Sequence, residues 1–200
     1  MDGISWAASA MSAAQSRLEI AAHNLANASS NGFRRSAATG SIAGTGVRIS
    51  SVQTADQGAL HRTGRPFDLA LVGEGAFVLR DPNGVSAHFR GGSFVRDRLG
   101  HLRDDSGRVL EGVNGPVRVP QGATIESDGS IREEGKTVDR IALPQGATVR
   151  TGFIEMSNVN AISEMVDVLS AQRSFESAQK VLTAIDGARA KSSDEVARLK

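Results

Sequence analysis

The sequence predicts an α+β protein in which long N- and C-terminal α-helices pair as a coiled-coil layer beside a central antiparallel β domain. Three observations carry this. Ile4, Met11, Leu18 and Leu25 recur every seven residues, with Ala7, Ala14, Ala21 and Ala28 three residues behind each. Ala161, Val168, Phe175 and Leu182, followed at the same offset by Ala171, Ala178 and Ile185, repeat the pattern near the other end. Such spacing is the a/d seam of helices that pack on helices. All five prolines and nearly all of the 22 glycines lie between the two seams, where short apolar runs alternate with turn residues.

The first helix is expected from about Ile4 to Ala28, free of proline, with Asp2 placed to cap its first turn. Ser12, Ser16, Arg17, Glu19 and His23 fall between the seam positions, so one face is wet and the other dry. Such a helix is marginal alone in water and needs a partner. Asn27-Ala-Ser-Ser-Asn31-Gly32 supplies the stop, because asparagine and glycine tolerate the left-handed backbone of a C-terminal cap. Residues 37–46 are small, lack a hydrophobic period and read as a flexible linker.

From Val47 to about Val149 come runs of strand length: Val47 to Val52, Phe67 to Val72, Ala76 to Leu79, Phe94 to Arg96 and Val117 to Val119. Asp81-Pro-Asn-Gly84 is a compact turn, and Asp128-Gly129 between Ile125 and Ile131 is a hairpin candidate. Gly152 closes the β segment, and Asn158 or Asn160 can cap a second helix that runs from Ala161 to Ile185, beyond which the polar tail frays. The expected divisions are a helical arm over 1–32, a linker over 33–46, a β-rich domain over 47–151, a second arm over 152–188 and a tail over 189–200.

Composition narrows the function. With 23 basic and 22 acidic side chains the formal charge is +1, and aromatic residues make up 4%. There is neither a basic stripe for phosphate nor a platform for bases, so no nucleic-acid partner is expected. No cysteine is present, which removes disulfides and thiolate sites. No run approaches the roughly 18 apolar residues of a spanning helix, so no membrane insertion is expected. The start Met-Asp-Gly-Ile lacks the regions of a cleaved secretory signal.

His23, His61, His88 and His101 have no metal-ligand spacing, Gly73-Glu-Gly75 is too short for a dinucleotide fingerprint, and no serine lies in a nucleophile elbow. Asp104 with Asp105 and Glu133 with Glu134 sit in turns, where carboxylates are solvated rather than tuned by burial. No catalytic residue, cofactor or metal is assigned.

Longer segments bring a resemblance. Ala13-Ala-Gln-Ser-Arg-Leu-Glu-Ile-Ala-Ala-His-Asn-Leu-Ala-Asn27, continuing to Asn31-Gly32-Phe33-Arg34-Arg35, closely resembles the N-terminal signature of bacterial flagellar rod and hook proteins. Gln57-Gly-Ala-Leu60, Thr63-Gly-Arg-Pro-Phe-Asp-Leu-Ala-Leu71, Gly73-Glu-Gly-Ala-Phe77 and Phe89-Arg-Gly-Gly-Ser-Phe94 look like the family's entry into its β domain. Gly152-Phe-Ile-Glu-Met-Ser-Asn-Val159 and Ala171-Gln-Arg-Ser-Phe-Glu176 are similar to its C-terminal signature. Departures are Ala76 where an aromatic is usual, Phe175 where tyrosine is common, and a short stretch between Asp128 and the C-terminal signature.

The resemblance implies a structural subunit of the basal-body rod, exported by the flagellar type III apparatus without a cleaved signal. Its partners would be other copies and related rod proteins, in a shaft spanning the periplasm, needed for flagellum assembly and motility. The compact size favours a proximal-rod-like subunit over a distal one. Ile4, Met11, Leu18, Leu25, Val168, Phe175, Leu182 and Ile185 would form the assembly interface, each large apolar side chain contributing about 1.5 to 3 kcal/mol when buried. Asn24, Asn27, Asn31 and Gly32 would stop the helix, with subunit registration as the sharper reading. By periodicity alone a two-helix hairpin within one monomer fits equally well, and the resemblance breaks that tie toward assembly. Other classes are a soluble coiled-coil binding module or assembly factor, and a peptidoglycan-active enzyme testable at Glu74, Asp104 and Glu133.

Overall fold

A computed structural model describes residues 3–43 and 46–198 and divides the chain into two compact units. The first gathers the described parts of Met1–Ala28, Arg35–Thr54 and Val159–Lys200; the second holds Ser29–Arg34 and Ala55–Asn158.

In the first unit α1 (Gly3–Ala26) packs on α2 (Ala161–Arg198). The two run antiparallel: a Cβ built on Gly3 would stand 3.3 Å from Ile185 Cδ1, while Asn24 at the other end bonds Glu164. Ala7, Ala14 and Ala21 of α1 and Ala171 and Ala178 of α2 are buried. A methyl is all that fits where backbones approach this closely, which is why alanine takes every second seam position. Asn160 caps α2, its Oδ1 accepting from the backbone N–H groups of Ile162 (3.0 Å) and Ser163 (3.1 Å). The helix does not end near Ile185. It continues through Arg198, since the segment after 185 has no proline and carries three alanines and two arginines. The expected cap at Asp2 and the tail's last residues, 199 and 200, lie outside the described residues.

Between the helices in sequence come β1 (Ser36–Ala43) and β2 (Gly46–Gln53), an antiparallel pair in register from Ser36↔Gln53 to Ala43↔Gly46. The segment expected as a flexible linker is therefore a strand over most of its length, with 44 and 45 outside the described residues. Its alanines, glycines and serines show no alternation because Ala38 to Ile42 are exposed, so the strand is made by backbone bonds rather than by burial. Val47 to Val52, expected to open the β-rich domain, is β2 and belongs with the helices. Ser9 Oγ of α1 accepts from Val47 N at 2.7 Å, and a Cβ on Gly46 would come within 2.6 Å of Ser9 Cβ. Glycine is required at that contact.

The second unit holds fourteen short strands: β3 (Leu60–Arg62), β4 (Asp68–Val72), β5 (Phe77–Arg80), β6 (Ser86–Phe89), β7 (Gly91–Ser93), β8 (Val95–Arg96), β9 (Leu102–Arg103), β10 (Val109–Gly112), β11 (Gly115–Pro116), β12 (Thr124–Ile125), β13 (Ser130–Glu133), β14 (Lys136–Arg140), β15 (Thr148–Thr151) and β16 (Phe153–Glu155). All pairings are antiparallel, in sheets ordered β6-β5-β10-β9-β8 with β11 on β10, β12-β13-β14, β15-β4-β7 and β16-β3. Leu69, Leu71, Phe77, Leu79, Leu102, Leu110 and Ile131 form the centre of its core. The run Val117 to Val119 is not a strand. Val117 and Val119 are buried there by single backbone bonds to Leu110 and Gly100. Gly152, at φ 76°, turns the chain between β15 and β16 so that it leaves β4 and pairs with β3.

One turn recurs. In Asp81-Pro-Asn-Gly84, Asp97-Arg-Leu-Gly100 and Asp104-Asp-Ser-Gly107 the aspartate Oδ1 accepts from the N–H groups two and four residues on, at 2.7–3.0 Å. Each glycine donates back to the aspartate carbonyl from φ 87°, 90° and 78°. The side chain caps the turn and glycine supplies the left-handed residue that closes it. The candidate hairpin at Asp128-Gly129 closes between Ile125 and Ile131, which face each other across β12 and β13.

Candidate assembly site

Ile4, Met11, Leu18 and Leu25 on α1, and Val168, Phe175, Leu182 and Ile185 on α2, are all half-buried, spaced among the buried alanines Ala7, Ala14, Ala21, Ala171 and Ala178.

A second apolar stripe runs along α2 and faces water. Ile162, Met165, Val166 and Leu169, spaced three and four residues apart, are 76%, 52%, 60% and 56% exposed, and Val181 further along α2 is 52% exposed. Leu169, Val166 and Val181 line an open groove of about 660 Å³ that also touches Ala10 of α1. Sequence reasoning missed this stripe because the stronger seven-residue repeat masks it, although Ile162 to Leu169 is itself a helical i, i+3, i+4, i+7 pattern.

Of the four stop residues the structure distinguishes one. Asn24 is fully buried, with Nδ2 donating to Ser36 O (2.8 Å) and Glu164 Oε2 (3.0 Å) and Oδ1 accepting from Ser36 N (2.9 Å). Glu164, 1% exposed, also accepts from Arg35 Nε, and the same guanidinium reaches Asp167 at 3.4 Å. Asn24 thus ties the end of α1, the start of β1 and the first turn of α2 together. Asn27 donates to His23 O from both its side chain and its backbone N–H, one residue past the end of α1. Gly32 takes φ 67° in the second unit, its N–H bonded to Glu155 O, and Asn31 is exposed there.

The second unit has its own buried polar centre. Arg90, 5% exposed, spans Glu155, 1% exposed, and donates onward to Gly75 O (2.7 Å) and Leu71 O (3.1 Å). Gly58 N and Gln57 Nε2 complete the carboxylate's partners. These groups satisfy one another, so the cluster reads as a structural pin.

The residues considered for catalysis are dispersed. Asp104 is held by its own turn and by Arg108 at 2.6 Å, and Glu133 and Glu134 sit at the tip of the β13–β14 hairpin. Among the described residues no group of three or more histidine or carboxylate side chains is placed to hold a metal ion, and no helix is long and apolar enough to cross a membrane.

The described residues thus hold two terminal helices packed on each other, a buried polar network in each unit and an exposed apolar stripe on α2. Comparison with known proteins gives the class. Residues 4–34 match the flagella basal body rod protein model, and residues 150–194 match the C-terminal model of the flagellar basal body rod FlgEFG proteins. The flagellar basal-body rod protein FlgF of Mesorhizobium japonicum is 31% identical, the alignment covering 88% of this chain and 89% of that protein. FlgF of Escherichia coli is 30% identical over 88% and 92%, and FlgG of Bacillus subtilis 29% over 86% and 90%. The chain belongs to the flagellar basal-body rod family and is a structural rod subunit of the bacterial flagellum.

Proposed function

We propose that the helical unit is the polymerising element, with α1 and α2 paired as a coiled coil along the seam Ile4, Met11, Leu18, Leu25, Val168, Phe175, Leu182 and Ile185. The observation that supports this is the contrast along α2: Val168, Phe175, Leu182 and Ile185 are half-buried, while Ile162, Met165, Val166 and Leu169 are exposed. Neighbouring copies and related rod proteins cover that outer stripe in the periplasm-spanning shaft. The subunit reaches it through the flagellar type III apparatus, and its role is mechanical rather than catalytic. The compact β segment favours a proximal place in the rod.

Two classes of variant test the reading. Leu18→Asp and Leu182→Asp place a carboxylate in the helix–helix face and disrupt the helical unit itself, lowering helicity and blocking incorporation into rods. Leu169→Asp leaves the isolated chain's circular dichroism unchanged and still blocks incorporation and motility. Rods of normal occupancy built from the Leu169→Asp protein overturn the assignment of the outer stripe.

A further inference from the structure

In the second unit Arg65, Arg80, Arg90, Arg103, Arg108 and Arg140 each hold a carboxylate. Arg96, Arg98 and Arg118 hold none among the described residues, and all three line one pocket of about 310 Å³ beside the turn at 97–100. The fold brings them there. Arg96 ends β8, Arg98 rides the turn, and Arg118 arrives by its backbone bridge to His101, its Cγ 3.3 Å from where a Cβ on Gly100 would stand. The acidic groups nearby are committed. Asp97 accepts from Arg103 and from two backbone N–H groups, and Asp139 accepts from the backbone N–H groups of Arg118 and Arg140.

We infer that this pocket binds an acidic segment of a partner protein. A guanidinium presents a planar fork that matches a carboxylate in two parallel bonds, and the three arginines lining the pocket outnumber its one carboxylate, Asp97, which Arg103 already engages. One further observation selects a peptide among anions: Leu99 lines the same pocket and is 67% exposed, giving an apolar contact that free phosphate cannot use. The lining has no aromatic ring on which a base or sugar would stack.

The test uses the full chain at low and physiological salt, titrated by calorimetry and by amide chemical shifts. The probe is a capped hexapeptide alternating glutamate and leucine, and the comparators are its lysine counterpart, tripolyphosphate and a polyuronate. Saturable one-to-one binding of the acidic peptide, with shifts confined to 94–101 and 117–121, is the expected result. Arg98→Glu and the double change Arg96→Glu with Arg118→Glu weaken it about tenfold or more, while Arg98→Gln weakens it less and all retain the wild-type spectrum. Unsaturable binding, equal affinity in the charge-reversed variants, or tripolyphosphate or polyuronate binding as tightly as the peptide overturns the assignment.

Discussion

The Arg90 guanidinium lies across the Glu155 carboxylate with its Nε 3.0 and 2.9 Å from the two oxygens, both side chains shut away from water. Nη1 donates to Gly75 O and Nη2 to Leu71 O, so the pair joins β4, the loop after it, the β6–β7 junction and β16 at one point. Removing one member strands the other. Arg90→Ala is expected to cost roughly 3–5 kcal/mol, read as a lowered urea midpoint, while the double change Arg90→Met with Glu155→Leu recovers most of that loss. A double variant as unstable as the single one contradicts a pin whose value lies in mutual compensation.

Asn24→Ala leaves the Ser36 N–H and C=O without their side-chain partner and removes one donor from Glu164. The expected cost is about 1–3 kcal/mol, with faster hydrogen exchange at Ser36 as the local signature. Asn24→Asp is expected to be worse at neutral pH, since it sets a second carboxylate against Glu164 in a buried place. Acidification toward about pH 4, where carboxylates begin to protonate, should narrow the gap between Asn24→Asp and Asn24→Ala.

Asp97 is held down to about 2, first by the hydrogen bond from Arg103, then by the backbone donors of His101 and Leu99 and the charge of His101, against an opposing push from burial. Its folded pKa lies below the unfolded 3.8, so its stabilisation is present above that value and is lost as pH falls toward 2. Thermal midpoints of the wild type should therefore drop more between about pH 4 and pH 2 than those of Asp97→Asn. Equal drops would show that this turn carries no acid sensitivity.

Gly58 is buried and its N–H donates to Glu155, and a Cβ there would stand 1.9 Å from Met156 O. Backbone must move to admit a methyl. Gly58→Ala is expected to destabilise by about 1–3 kcal/mol, whereas Gly84→Ser, which meets no atom within 4 Å but carries φ 87°, costs less because only the turn is strained. Comparison of the two by denaturant unfolding checks the ranking.

The helices are legible in the sequence because seven-residue spacing at both ends is a local signal repeated three or four times, and Asn160 is a local cap. The β unit is legible only in outline. Two-residue strands such as β8, β9 and β12 carry no periodicity, and Val117 to Val119 mimics a strand while being held by scattered bonds. β1 resembles a linker because its outer half, Ala38 to Ile42, buries almost nothing against β2. Asn24 stands among the stop residues, yet its partners Ser36 and Glu164 are 12 and 140 residues away, and no pattern in sequence announces such a contact. Arg90 and Glu155 are hidden for the same reason, 65 residues apart.

That separation also sets a clock. The groups waiting for Glu155 are at 57, 58 and 90, so the second unit cannot close until nearly its whole length exists as chain. At ribosomal speeds the stretch from Arg90 to Glu155 takes roughly 3 to 13 seconds to make. Throughout that interval the middle of the subunit is still an open thread, and its final shape is decided by the last strand to arrive.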